Sequence, residues 1–181
     1  MGQRAEICNK IKNPKKAEKK WKKIAGTPAT EKRPAKYHSV TPALTAANAD
    51  EAIKFYTAAF GATELERMPT PDGRIMHAEL QIGDSIIMVH DEFPEHGGKS
   101  AQTLGGSPFG LMLYTVDVDI AFNKAVSAKA VAAMPVANMF WGDRYGAVVD
   151  SQGYFWGLAT RVENLTPEEM KERMMKEAPQ S

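Results

Sequence analysis

Val40-Thr41-Pro42-Ala43-Leu44-Thr45, then Asn48, then Ala52, Ile53, Tyr56, Ala59, Phe60 and Gly61, form a β-prone run, a capping residue and an apolar helical stripe closed by a glycine. The spacing predicts a strand, a helix capped by Asn48, and a left-handed stop at Gly61. About 70 residues later the pattern returns, with Gly110-Leu111-Met112-Leu113-Tyr114-Thr115 as the strand. Asp117 or Asp119 is the second cap, and Phe122, Ala125 and Val126 form the second stripe. Short strands and turns follow each helix, so the chain reads as a duplicated βαβββ module. A sheet must cover one face. The duplication therefore predicts an α+β fold whose two modules form a curved mixed sheet around a cleft, with helices outside.

The first module contains a hairpin legible residue by residue. From Arg74 to Ile82, Met76, Ala78, Leu80 and Ile82 face one way while His77, Glu79 and Gln81 face the other. Gly83-Asp84 suits a two-residue turn, because glycine accepts the positive φ that the first turn position requires. That turn sets Glu79 opposite Met88 and His77 opposite His90, gathering two imidazoles and a carboxylate on one face. Two histidines and one carboxylate suit Fe(II), Mn(II) or Zn(II), so His77, Glu79 and His90 are a candidate metal set. The same face without metal reads as a polar wall of a wet cleft, and His77 or Glu79 alone could act as a general base.

The second hairpin runs from Arg144 to Asp150, turns at Ser151-Gln152-Gly153, and returns from Tyr154 to Thr160, preceded by Phe140-Trp141-Gly142-Asp143. Its aromatic residues can line a small-molecule site or fill the module's core, the latter being the reading for Phe155 or Trp156. Arg144 can anchor an anionic ligand group or pair with Asp143 or Asp150. Phe93 to Pro108 is long and glycine-containing, as a binding lid or a disordered loop would be. Thr166, Pro167 and Glu169 spell a capping box for a C-terminal helix with Met170 and Met174 on its apolar stripe.

Charge divides the chain. Its 181 residues carry a net +1, but residues 1–36 hold 12 Lys/Arg and 3 Asp/Glu, whereas residues 37–181 hold 11 and 19. A basic arm and linker over 1–36 therefore precede a domain over 37–165, with modules at about 38–92 and 109–162 and a C-terminal segment over 166–181. In the arm, Asn13, Pro14, Ala17, Trp21, Ile24 and Gly26 suggest a short basic amphipathic helix. It could meet nucleic acid or anionic lipid, or pack on the protein itself. A single cysteine, Cys8, excludes a disulfide framework. No apolar run reaches the roughly 20 residues of a spanning helix, and the N-terminus lacks a secretory h-region. A cytoplasmic setting is the expectation.

Asp50-Glu51-Ala52-Ile53-Lys54-Phe55-Tyr56 leading to Phe60-Gly61-Ala62 resembles the first-helix signature of the vicinal oxygen chelate superfamily. So do His77-Ala78-Glu79-Leu80, Ile82-Gly83-Asp84-Ser85, Phe140 to Gly146, and Asp150 to Trp156 resemble later signatures of that superfamily, all in order. That superfamily holds glyoxalase I, bleomycin-resistance proteins, fosfomycin-resistance enzymes and extradiol dioxygenases, and the match is nearest its uncharacterised glyoxalase-like branch. The resemblance implies the paired-module fold and a homodimer. It also implies metal ligands on the first strand of each module and the last strand of the second, where this chain has Thr41, Leu111 and Gly157. None of these ligates a transition metal through its side chain. The expectation is a metal-independent small-molecule binder of the resistance type with no cofactor, its ligand touching Trp141, Arg144, Tyr145, Tyr154 and His90. The alternatives are a lyase, isomerase or dioxygenase, metal-dependent or acid/base, using His77, Glu79 and His90, or an interaction protein recruited through its basic arm.

Overall fold

A computed structural model describes residues 29–177, and the chain divides into two compact units between Pro34 and Ala35. Cys8 and the helix expected around Trp21 lie outside the described residues, and all the strands and helices named below belong to the second unit. The first module runs β1 (Ala43–Ala46), α1 (Ala49–Phe60), β2 (Thr63–Pro69), β3 (Ile75–Ile82) and β4 (Ser85–Asp91). A one-turn helix, α2 (Ala101–Leu104), sits in the connection. The second module repeats the order as β5 (Gly110–Tyr114), α3 (Val118–Ser127), β6 (Val131–Asn138), β7 (Asp143–Val149) and β8 (Phe155–Arg161). The helix α4 (Pro167–Glu177) follows. Among the described residues no helix is long and apolar enough to cross a membrane.

Local chemistry explains these boundaries. Asn48 Oδ1 accepts from Glu51 N at 3.1 Å and caps α1, and Gly61 ends it in the left-handed region at φ 68°. Asp117, not Asp119, is the equivalent cap of α3, accepting from Ile120 N at 3.0 Å. β1 starts at Ala43 rather than Val40 because Pro42 has no N–H to extend the ladder. Gly83 takes φ 58°, and the hairpin register pairs Glu79 with Met88 and Ala78 with Val89, as the two-residue turn requires. The Thr166–Glu169 capping box forms in both directions, at 2.8 and 3.2 Å.

Each module makes a four-stranded mixed sheet, in the orders β1-β4-β3-β2 and β5-β8-β7-β6. The first strand of each module is parallel to its last: β1 to β4, β5 to β8. The two βαβββ modules of the expected α+β fold are thus present, each with its own mixed sheet, and among the described residues no strand pair joins the two. The physical reason is the shared core. Helix α1 packs on α3, and Tyr56 and Phe60 of α1 pack on Trp156 of β8, with ring centroids 5.4 and 4.7 Å apart. Large rings bury about 150–250 Å² each, enough to dominate a small core. Asp150 fastens this joint by accepting from the Tyr56 hydroxyl at 2.7 Å and from Trp156 Nε1 at 2.9 Å. With their helix-bearing faces turned to this core, the sheets leave their other faces open.

The connection from Phe93 to Pro108 is ordered by named contacts. Glu92 receives Ser100 N at 2.8 Å and the Thr103 hydroxyl, while Arg74 pairs with Glu95 and stacks its guanidinium 4.3 Å from the Phe93 ring centre.

Candidate functional site

On the open face of the first sheet, β-strand alternation aligns Thr45 of β1, Met88 and His90 of β4, His77 and Glu79 of β3, and Glu66 and Met68 of β2. At its centre Glu79 is only 2% exposed. Lys36 and Tyr37, a few residues before β1, reach across and donate to its two carboxylate oxygens, and His77 Nε2 lies 3.4 Å from Oε1. Burial opposes ionisation of Glu79, but the hydrogen bonds from Lys36, Tyr37 and His77 outweigh it and hold the carboxyl below its ordinary value. The same contacts push the Lys36 and Tyr37 groups up, so an ammonium and a neutral phenol face a carboxylate.

His77 and Glu79 thus come together as the hairpin predicts, while His90 goes elsewhere. Its Nε2 meets Thr45 Oγ1 at 2.9 Å. Among the described residues, the His and carboxylate side chains whose ligand atoms lie within 4.8 Å of one another are Glu66, His77 and Glu79. Sequence reasoning missed Glu66 because a β-bulge intervenes. Glu64 pairs with Leu80 and Glu66 with Glu79, leaving Leu65 out of register. Lys36 ends the basic arm, and no local signal marks it as a partner of Glu79.

The open face of the second sheet is apolar and aromatic. Met112 and Tyr114 of β5, Phe155 and Gly157 of β8, Asp143 and Tyr145 of β7, and Met134 of β6 share it. Gly157 is its floor: a Cβ there would lie 2.7 Å from Met112 Sδ and 2.8 Å from Tyr145 Cε2, so both side chains close over the glycine. Trp141 stands edge-on to Tyr145, centroids 5.9 Å apart, and Phe140 edge-on to Trp141 at 4.9 Å. Burial pushes the Tyr145 phenol up. The polar end of the face is Asp143, 1% exposed, whose Oδ2 accepts from the Tyr114 hydroxyl at 3.0 Å and Trp141 Nε1 at 3.1 Å. Arg161 Nε lies 2.6 Å from Oδ1 without an N–H aligned on it, which leaves that oxygen charge-paired but not hydrogen-bonded.

Trp141 and Tyr145 therefore sit side by side on an open face. Arg144 points to the helix side, where Asp119 of α3 takes its guanidinium in a two-pronged pair at 2.6 and 2.7 Å. Tyr154 is buried, donating to Thr45 O and accepting from Thr45 N, both at 3.0 Å, so it ties the turn before β8 to β1. Trp156 is core, as expected, whereas Phe155 alternates onto the open face.

A family model described as the Glyoxalase/Bleomycin resistance protein/Dioxygenase superfamily matches residues 37–158. The chain belongs to that superfamily. Among its relatives are the uncharacterized proteins Mb0911c of Mycobacterium bovis and Rv0887c of Mycobacterium tuberculosis. Each is 39% identical over 139 residues, covering 75% of this chain and 91% and 82% of theirs. Among solved structures, TioX from Micromonospora sp. ML1 is 26% identical with a TM-score of 0.55, over 71% of this chain and 100% of that one. The Arabidopsis thaliana gene product AT5G48480 is 28% identical with a TM-score of 0.55, over 68% of this chain and 98% of that one. The superfamily fold is a small-molecule-binding fold.

The metal that some glyoxalase-superfamily members hold does not fit its expected place in this chain. Thr41 precedes β1, and Leu111 turns to the helix side and packs on the core. The open-face positions on those strands are Thr45, Met112 and Gly157, and the space above Gly157 is filled by a thioether and a phenol ring. A thioether is a weak, soft ligand, and the atoms nearest a Cβ at Gly157 are this sulfur and the ring and hydroxyl of Tyr145, none of them an imidazole or a carboxylate.

Proposed function

We propose that this glyoxalase-superfamily chain binds a small molecule with a flat apolar body on the open face of its second sheet, without help from a metal. The observation that carries the reading is Gly157 beneath Met112 and Tyr145, with Trp141 edge-on to that ring. Because Gly157 has no side chain, Met112 and Tyr145 lie flat over it and, with Trp141 beside them, present an apolar aromatic platform to which a few convergent polar groups give direction. Tyr145 stays a neutral donor because burial raises its phenol. Arg161, anchored against the buried Asp143, offers a cation at one end for an acidic group on the ligand. We also propose that two copies pair, so that a second chain closes the face.

The test is titration of chelator-treated, untagged protein with 8-anilino-1-naphthalenesulfonate, a flat probe carrying one anionic group. Saturable binding is expected, and each aromatic side chain removed costs about 0.5–1.5 kcal/mol. The double variant Trp141→Ala, Tyr145→Ala should therefore bind about fivefold or more weakly. Unchanged affinity in that variant would remove the reading.

A further inference from the structure

The open face of the first sheet carries an unmet charge requirement. Glu66 and Glu79 are direct cross-strand neighbours, and like charges so placed repel one another. Lys36 gives its ammonium to one oxygen of Glu79. Glu66 has no ion-pair partner among the described residues. One monovalent ammonium thus serves two carboxylates, and an imidazole nitrogen, His77 Nε2, stands beside them.

We propose that Glu66, His77 and Glu79 form a divalent-cation site that Lys36 and Tyr37 cover, and that a first-row ion such as Zn²⁺ or Mn²⁺ displaces that segment. One nitrogen and two carboxylate oxygens suit these ions. Donor atoms that all lie within 4.8 Å of one another need only small rotamer changes to reach bonding distances of about 2.0–2.2 Å. The ion replaces the Lys36 ammonium on Glu79 and also neutralises Glu66, which the ammonium does not. Lys36 is half-exposed and sits on the chain a few residues before β1, so it can leave without disturbing a strand. This site lies on the other sheet from the aromatic face, and its failure would leave the proposed ligand seat untouched.

The experiment is calorimetric titration of the untagged full chain with Zn²⁺. Wild type should bind one ion at this site, and Lys36→Met should bind it at least tenfold tighter because the competing cation is gone. Glu66→Gln leaves the Lys36–Glu79 pair intact and should bind at least tenfold more weakly than wild type. His77→Ala in the Lys36→Met background should lose the gain. A second readout is trypsin cleavage after Lys36, followed by mass spectrometry. Saturating Zn²⁺ should accelerate that cut several-fold in wild type and not in His77→Ala. Undiminished binding in Glu66→Gln, or an unchanged cleavage rate in wild type, overturns the proposal even if the Lys36→Met chain does not fold.

Discussion

At the scale of single residues, the molecule concentrates its strongest constraints in a few buried polar groups. Asp150 is 5% exposed and accepts four hydrogen bonds: the Tyr56 hydroxyl, Trp156 Nε1, and the backbone N–H groups of Gln152 and Tyr154. Each buried donor left without a partner costs about 1–3 kcal/mol. Asp150→Ala should therefore lose about 3–5 kcal/mol in urea unfolding, and a loss under about 1 kcal/mol would show that water replaces the carboxylate. His90 supplies the pH dependence. Burial first, and the charge of His77 second, hold its imidazole below the ordinary 6.5, against a smaller upward pull from Asp91. The unfolded chain then takes up the proton at a higher pH than the folded one. Stability is complete above pH 6.5 and declines as pH falls from there through the folded value. His90→Gln should flatten the unfolding free energy between about pH 7 and 5. His77→Asn should raise the His90 midpoint by NMR only partway, since burial is the larger cause.

At the scale of elements, the two modules use one plan with different caps. Asn48 and Asp117 occupy equivalent positions at the starts of α1 and α3. Replacing either with Ala should cost about 0.5–2 kcal/mol, read as a fall of a few degrees in Tm for a domain of this size. Equal penalties would mean that the caps act locally, and a much larger loss at Asn48 would tie α1 to the inter-module core. These helices, the stop of α1 at Gly61 and the Gly83-Asp84 hairpin were legible in the sequence because each is set by residues within one or two turns, whereas the end of α3 at Ala128 carries no glycine to announce it. The candidate site was legible only in part. His77 and Glu79 share a face by simple alternation, but Glu66 joins them through a bulge at Leu65. Lys36 reaches Glu79 across 43 positions of sequence. Local spacing likewise placed Trp141 and Tyr145 near one another, yet it could not foresee that Arg144 would turn to Asp119 or that Tyr154 would be spent on Thr45.

At the scale of the whole molecule, the inter-module joint decides what remains exposed. With Tyr56, Phe60 and Trp156 locked behind the sheets, Met112, Tyr114 and Phe155 stay on an open face, Tyr114 at 57% exposure. β5 remains an edge strand with one row of backbone groups unpaired by any other described strand, whereas the outer edge of β1 is already capped at Thr45 by the Tyr154 hydroxyl. A second copy of the chain is a partner that can cover both features at once, and two origins of self-association can be told apart. Pairing through sheet faces and edges buries apolar surface and is insensitive to salt. Pairing of the +9 arm with the −8 body of a neighbour is screened when the Debye length falls to about 3 Å near 1 M salt. Sedimentation equilibrium should therefore give twice the 19.9 kDa of one chain both at low salt and near 1 M. A chain carrying Met112→Glu and Phe155→Glu should sediment as a monomer and bind the naphthalenesulfonate probe weakly, because the face that the partner closes would be charged and open. A dimer that dissolves in salt would instead assign the association to the arm, and the ligand seat would then have to function with one wall.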